Sequence, residues 1–338
     1  MDALDLLLRG PRAHGAFLLQ SSLDPPWSLR IEDEAPLTIA AVVRGEAWVV
    51  FDDDAGTARL AAGDVMLCRG PIAYSVCDDP ATPPQVIIGP DQVCRTVDGS
   101  STYRRFEGSE RTWGNAALGH TLLVTGTYER ASHVSQRLLA ALPPLSVLRG
   151  DEWDNPVLDM LVTEIVRDAP GQTALLDRTL DLLCLTTVRA CLASPGATPP
   201  RWYTASADPI VGAALDLMHK RPAHPWTVAR LAAAVGASRA AFARRFNELV
   251  GDPPLTYLTR WRLDIAADLL AAREMTVAQI AGAVGYENPF AFTNAFKRHT
   301  GSTPTGFRNR QAGQLRTAGS SDGRGYSDQT TFASGSGR

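Results

Sequence analysis

The feature that most constrains this chain is a repeat in its carboxy-terminal half. TVARLAAAVG, starting at Thr227, and TVAQIAGAVG, starting at Thr276, agree at seven of ten positions. After one extra residue in the second copy the spacing becomes 50 and holds for Phe242/Phe292, Phe246/Phe296, Gly251/Gly301, Pro254/Pro304 and Tyr257/Phe307. A unit repeated at fixed spacing is one supersecondary structure used twice. Each copy has a short Ala-rich helix, a Gly, a polar residue, then a second helix with aromatics at i and i+4. Gly236 and Gly285 suit the left-handed residue that ends a helix, and Ser238 and Asn288 suit the N-cap of the next. Pro289 fits the first helical position after that cap. Phe242/Phe246 and Phe292/Phe296 each share a helical face, which predicts an inward aromatic edge and an outward face left free. This is helix-turn-helix grammar. Between the copies, Leu255, Leu258, Trp261, Ile265 and Leu269 form an apolar stripe that predicts one long helix from Pro254 to Ala272.

Tandem helical hairpins also build scaffolds that bind protein. Charge favours DNA instead. Residues 208–310 hold 13 Lys and Arg against 8 Asp and Glu, net +5, whereas residues 1–207 hold 17 against 26, net −9. The overall formal charge of −3 conceals this split. Arg244, Arg245, Lys297 and Arg298 occupy outward positions of the two second helices, where a polyanion would meet them.

The amino-terminal half has a different period. Apolar runs at Ile39–Val43, Ala47–Phe51 and Val65–Cys68 are separated by turn formers at Arg44-Gly45-Glu46, Asp52 to Gly56 and Gly63-Asp64, which predicts an antiparallel sandwich or barrel. Thr121–Tyr128 predicts one more strand. From Ser132 the spacing turns helical, with Val134, Leu138, Leu139 and Leu142 on one face, then helices over Pro156–Val166 and Leu175–Leu192. The organisation expected is a barrel over 1–130, a helical dimerisation or packing segment over 131–193, a linker over 194–207, the double helix-turn-helix over 208–310 and a disordered Gly/Ser-rich tail over 311–338.

Residues 208–310 resemble the DNA-binding domain of AraC/XylS-type transcription regulators, most specifically through IAGAVGYENPFAFTNAFKRHTGSTPTGFR from Ile280 to Arg308. LRIEDEAPLTIAAVVRGEAWVVF, LAAGDVMLCRGP and LLDRTLDLLCLTTVRACLA resemble the cupin-like sensing domain of one subgroup of that family. The resemblance implies a two-domain protein. A β-barrel of the cupin-like jelly-roll type, plus helices, would precede an all-α domain of two helix-turn-helix units joined by a long helix. It places base-reading positions on Ala240, Ala243 and Arg244 in the first unit, and on Pro289, Phe290, Thr293 and Asn294 in the second. Ser238, Arg239, Arg245, Asn288, Lys297 and Arg298 complete the expected DNA surface. Ala240 and Ala243 cannot hydrogen-bond a base edge, though either can touch a thymine methyl, so Arg244 becomes the candidate for bidentate guanine readout and Asn294 for adenine. Phosphate contact is the competing role for Arg244 and the leading one for Arg245 and Arg298. Phe290 is open to two readings, core packing or base contact.

A metal-dependent cupin enzyme fused to a DNA-binding domain is the competing function from another class. It needs His and carboxylate ligands converging in the barrel. PLTIAAVVR (Pro36–Arg44), where the family resemblance would put an HxH, contains no His, and Tyr74 stands where a further ligand is expected after Gly63-Asp64. His14, His120 and His133 are scattered, and no catalytic motif is found. No metal, cofactor or catalytic residue is therefore expected. A small organic effector in the barrel is expected instead, with Trp27, Arg30, Trp48 and Tyr74 as candidate lining. A thiol-based redox sensor at Cys68, Cys77 and Cys94, or an architectural DNA protein without effector, would also fit this sequence. Five cysteines without a CxxC pair, no apolar run long enough for a membrane and no secretory order at Met1 predict a cytoplasmic protein. Expected partners are double-stranded DNA, the effector, RNA polymerase and a second copy in a homodimer.

Overall fold

The computed structural model describes residues 16–52, 56–92, 94–97, 112–128, 139–153, 155–165, 167, 169–194 and 197–310. Strands are β1 (Ala16–Leu23), β2 (Ser28–Ile31), β3 (Leu37–Arg44), β4 (Glu46–Phe51), β5 (Thr57–Ala61), β6 (Val65–Arg69), β7 (Tyr74–Cys77), β8 (Val86–Ile88), β9 (Cys94–Thr96), β10 (Thr112–Gly114), β11 (Thr121–Tyr128) and β12 (Leu145–Leu148). They form two six-stranded sheets, ordered β10-β1-β11-β3-β6-β12 and β5-β4-β7-β2-β8-β9. Neighbours distant in sequence, such as β3 beside both β6 and β11, give the cupin-like jelly roll.

Each sheet buries one face against the other. Ala40, Val42, Met66 and Leu123 of the first sheet meet Leu29, Val49, Leu60 and Val76 of the second. The first sheet is also covered outside, where Leu37, Ile39, Ala41, Val65 and Leu67 pack in a cluster with helices α1 (Pro156–Ile165) and α2 (Gln172–Ala193). Burial on both faces explains why LTIAAVV reads as a continuous apolar run instead of an alternating one. Leu176, Leu180, Leu183, Val188 and Leu192 of α2 are buried in that cluster, so the barrel covers most of the apolar excess of this helix. Tyr128 donates its hydroxyl to the Leu180 carbonyl at 3.2 Å. Met160, Leu175 and Leu182 remain exposed.

Two features differ from the sequence expectation. β12 lies inside the segment read as helical and pairs antiparallel with β6, extending the barrel past residue 130. Its four residues are too few for periodicity to separate strand from helix. Within 194–207, read as linker from its Pro, Gly and Ser content, α3 (Arg201–Ala205) folds with Trp202 and Ala205 buried. Burial of one Trp is invisible to composition. Val134 and Leu138 of the expected helical face and the whole tail over 311–338 lie outside the described residues, while Leu139 and Leu142 are buried.

The carboxy-terminal part is helical: α4 (Pro209–Lys220), α5 (Val228–Ala234), α6 (Arg239–Val250), α7 (Pro254–Ala272), α8 (Val277–Ala283) and α9 (Pro289–Thr300). The pairs α5/α6 and α8/α9 are the two repeat units, and α7 joins them. One end of α7 supplies Tyr257 and Leu258 to a core with Phe242 and Phe246. The other supplies Leu263, Ala266, Ala267 and Leu270 to a core with Phe292, Phe296 and Phe307. Because the helix serves two cores on different faces, the single stripe expected for it is only partly buried: Leu258 and Trp261 are inside, while Leu255 is exposed.

Candidate DNA interface and barrel cavity

The first unit builds its outward helix from the cap upward. Thr227 caps α5 through the Arg230 amide at 3.1 Å, and Gly236 takes the left-handed turn at φ 69°. Ser238 then caps α6 through the Ala241 amide at 3.3 Å. Phe242 and Phe246 are wholly buried, which fixes the rotation of α6 and leaves Arg239, Ala240 and Arg244 exposed, with Ala243 half-buried. The Arg244 side chain is 77% exposed, and Glu248 lies no closer than 4.0 Å from its guanidinium. Arg245 is already engaged. Its Nε lies 3.0 and 3.1 Å from the Asp208 carboxylate oxygens and its Nη2 also donates to Oδ2, so a phosphate or solvent role is not its resting state. Asp208 before Pro209 is an N-cap pattern, which signals the helix start but not the pair with Arg245.

The second unit repeats the scheme with different chemistry. Thr276 and Gln279 form a capping box on α8, legible as TVAQ. Asn288 caps α9 through the Phe290 and Ala291 amides at 2.8 and 3.4 Å, ahead of Pro289. Phe292 and Phe296 are buried, while Pro289, Phe290, Asn294, Lys297 and Arg298 are exposed. Phe290 is 82% exposed, which removes the core-packing reading. Thr293 donates its hydroxyl to the Pro289 carbonyl at 2.9 Å.

Between the two sheets lies a cavity of about 50 Å³. That is room for several waters at ~10–15 Å³ each, and hence for a compact ligand. Its wall is mostly apolar, with Thr38, Tyr74, Thr125 and Thr127 inside and Asp33 and Gln92 also bordering it. Gln92 donates from its carboxamide to Asp33 at 3.2 Å. Of the four residues expected to line the barrel, only Tyr74 borders this space. Arg30 and Trp48 alternate with the inward Leu29, Ile31, Ala47 and Val49 and so face outward. Arg30 is held there by Asp52 at 2.5 Å and Glu32 at 3.3 Å. Trp27 is buried in the core between the sheets but does not reach the cavity.

A family model described as Cupin matches residues 2–193, and one described as Helix-turn-helix domain matches residues 231–310. The chain is 30% identical over 289 residues to an AraC-like transcription regulator of Streptomyces antibioticus, covering 83% of this chain and 90% of that protein. The chain belongs to the AraC-like family of transcription regulators. It is also 29% identical over 318 residues to the transcriptional regulator AlkR of Acinetobacter baylyi, covering 91% of this chain and 99% of AlkR. The DNA-binding domain of AdpA, solved in complex with a target DNA, is 30% identical and covers 32% of this chain and 96% of its own, with a TM-score of 0.31.

These AraC-like relatives are transcription regulators and not enzymes. Among the described residues no cluster of three or more His, Cys, Asp or Glu is placed to hold a metal. His120 is exposed and bound to Asp24 at 2.7 Å, and His14 and His133 lie outside the described residues. Burial pushes the Cys68 and Cys184 thiols up to about 12. Burial, aided by Asp78 and Asp79, pushes Cys77 up to about 11. Such thiols are poor nucleophiles, which weighs against a redox sensor at Cys68 and Cys77. No helix among the described residues is long and apolar enough to cross a membrane.

Proposed function

We propose that this AraC-like regulator recognises particular duplex sequences through the outward faces of α6 and α9, and that a compact effector in the barrel cavity modulates it. The observation that carries the reading is Arg244. It is presented by a capped helix locked by two buried phenylalanines, and its exposed guanidinium meets the exposed Glu248 carboxylate only at 4.0 Å. That is the geometry for a bidentate contact to guanine O6 and N7. Arg239, Lys297 and Arg298 supply phosphate contacts around it. Exposed Met160, Leu175 and Leu182 on α1 and α2 provide the apolar surface for a homodimer.

The effector is a small, largely apolar molecule with a polar group directed at the Tyr74 and threonine hydroxyls. Selection of bound duplexes from a random library by the full chain, followed by a metabolite thermal-shift panel, tests both halves. A recovered consensus supports DNA reading, and its absence refutes it. A ligand that stabilises the wild type but not Thr125→Leu, which fills the cavity, supports the effector site. A ligand that stabilises both equally places its site elsewhere.

A further inference from the structure

The spacing of 50 residues makes Ala240, Ala243 and Arg244 on α6 the counterparts of Phe290, Thr293 and Asn294 on α9, with Arg239 opposite Pro289. Superposed in this way, the reading positions of α6 carry the Arg244 guanidinium, and those of α9 carry no charge. Phe290 is the only exposed aromatic side chain among the described residues. It stands apart from buried Phe292, Phe296 and Phe307 and half-buried Tyr286, whose rings hold the unit together. Leaving a phenyl ring in water forgoes the gain of burying it, so a ring held out on a rigid helix start points to a partner surface. Thr293, one turn on, has its hydroxyl taken by the Pro289 carbonyl and therefore offers a methyl.

We infer that α9 reads thymine through its C5 methyl, with Phe290 as the specificity-determining residue, and that the two units divide the operator by chemistry. The inference rests on the reading of α6 and α9 as the DNA surface. In the major groove only thymine presents an apolar group, and phenyl and methyl side chains are suited to it. Asn294, one turn beyond Phe290, suits the N6 and N7 edge of adenine, so both contacts select A·T pairs. The first unit, through Arg244, selects a G·C pair. The hydrophobic ring competes poorly for phosphate, which leaves base edges as its counterpart in a duplex.

The test uses the full chain and the duplex it prefers. Each thymine is replaced in turn by deoxyuridine, which deletes only the methyl. For the wild type, one or more positions should lose about fourfold in affinity, the value of burying one methyl-sized group. Phe290→Ala should bind the intact site more weakly and show no further loss on deoxyuridine at those positions, and Phe290→Leu should retain part of the sensitivity. Circular dichroism and the melting temperature separate this from misfolding, because the ring is outside the core. A thymine scan with no response, or a Phe290→Ala variant as methyl-sensitive as the wild type, overturns the inference while leaving DNA recognition standing. A Phe290→Ala variant that binds the intact site as tightly as the wild type overturns it too, and assigns the ring to a protein partner. A chain that prefers no duplex at all removes both.

Discussion

Arg245, on the outward helix of the first unit, is bound through Nε and Nη2 to the carboxylate of Asp208, which also caps α4 through the Ile210 and Val211 amides at 3.1 and 2.9 Å. Nearby, Arg201 of α3 donates to the Glu248 and Leu249 carbonyls at the end of the same outward helix. The segment leaving the barrel is thereby fastened to the outward helix of the first unit.

Arg245 should therefore contribute to the fold more than to DNA. Asp208→Ala is expected to cost about 0.5–2 kcal/mol in urea unfolding, the range for a lost N-cap. Arg298→Ala, whose guanidinium is exposed, should lower the salt slope of DNA binding by about one unit, and Arg245→Ala by much less. Equal slopes for the two variants would place Arg245 on a phosphate.

The same pair sets an acid dependence. Hydrogen bonding from Arg245, joined by the Val211 and Ile210 amides, holds the Asp208 carboxyl down to about 2 from its ordinary 3.8. The folded value lies below the unfolded one, so this stabilisation is complete above the ordinary value and is lost as pH falls toward the depressed one. Asp208→Asn keeps a cap but not the charge. Its melting temperature should fall below the wild type at neutral pH and converge with it across that acid window; a constant gap would contradict the assignment.

Packing of α2 on the barrel depends on a missing side chain. A Cβ at Gly126 would lie 2.5 Å from Leu180 Cδ1, inside any normal contact. Gly126→Ala should destabilise the protein, and Leu180→Ala should cost about 2–5 kcal/mol as a cavity. The double variant should lose less than the sum of the two, since the new methyl enters the space that Leu180 vacates. Strict additivity in denaturant unfolding would show that the helix and the sheet do not share this contact.

Thiol chemistry gives an independent check. With Cys68 and Cys184 pushed up to about 12, an aromatic disulfide reagent at neutral pH should label these residues at the rate of unfolding and no faster. Replacing Cys68, Cys77 and Cys94 together by Ser should leave DNA binding and any effector response in place. Loss of the response on replacement, or rapid labelling of native Cys68, would restore the redox reading.

Legibility in the sequence followed the range over which each feature is specified. The helix-turn-helix units were readable because their caps, left-handed glycines and aromatic pairs act within four or five residues, and a second copy repeats them. α7 was readable in extent, from Pro254 to Ala272, but not in burial, since its two faces are chosen by partners outside the helix, Phe242 and Phe246 before it and Phe292, Phe296 and Phe307 after it. β12 was hidden because its identity comes from pairing with Val65–Cys68, some 80 residues earlier. In the barrel, alternation would have turned Arg30 and Trp48 outward had the strand registers been known; aromatic and basic character alone suggested a binding wall. Asp208 was read only as a domain boundary; its place as the N-cap before Pro209 and its tie to Arg245 came from the fold.

The central claim, that this regulator reads base sequence through its capped outward helices, is tested most directly by Arg244→Ala. Binding of the full chain and of the variant should be measured on the selected duplex, on single-base substitutions of it and on random DNA, at one salt concentration. Loss of about 1–3 kcal/mol on the selected duplex is expected, with preference relaxed at a single G·C pair and random DNA little affected. Equal losses on selected and random DNA would make Arg244 a phosphate contact and contradict the claim.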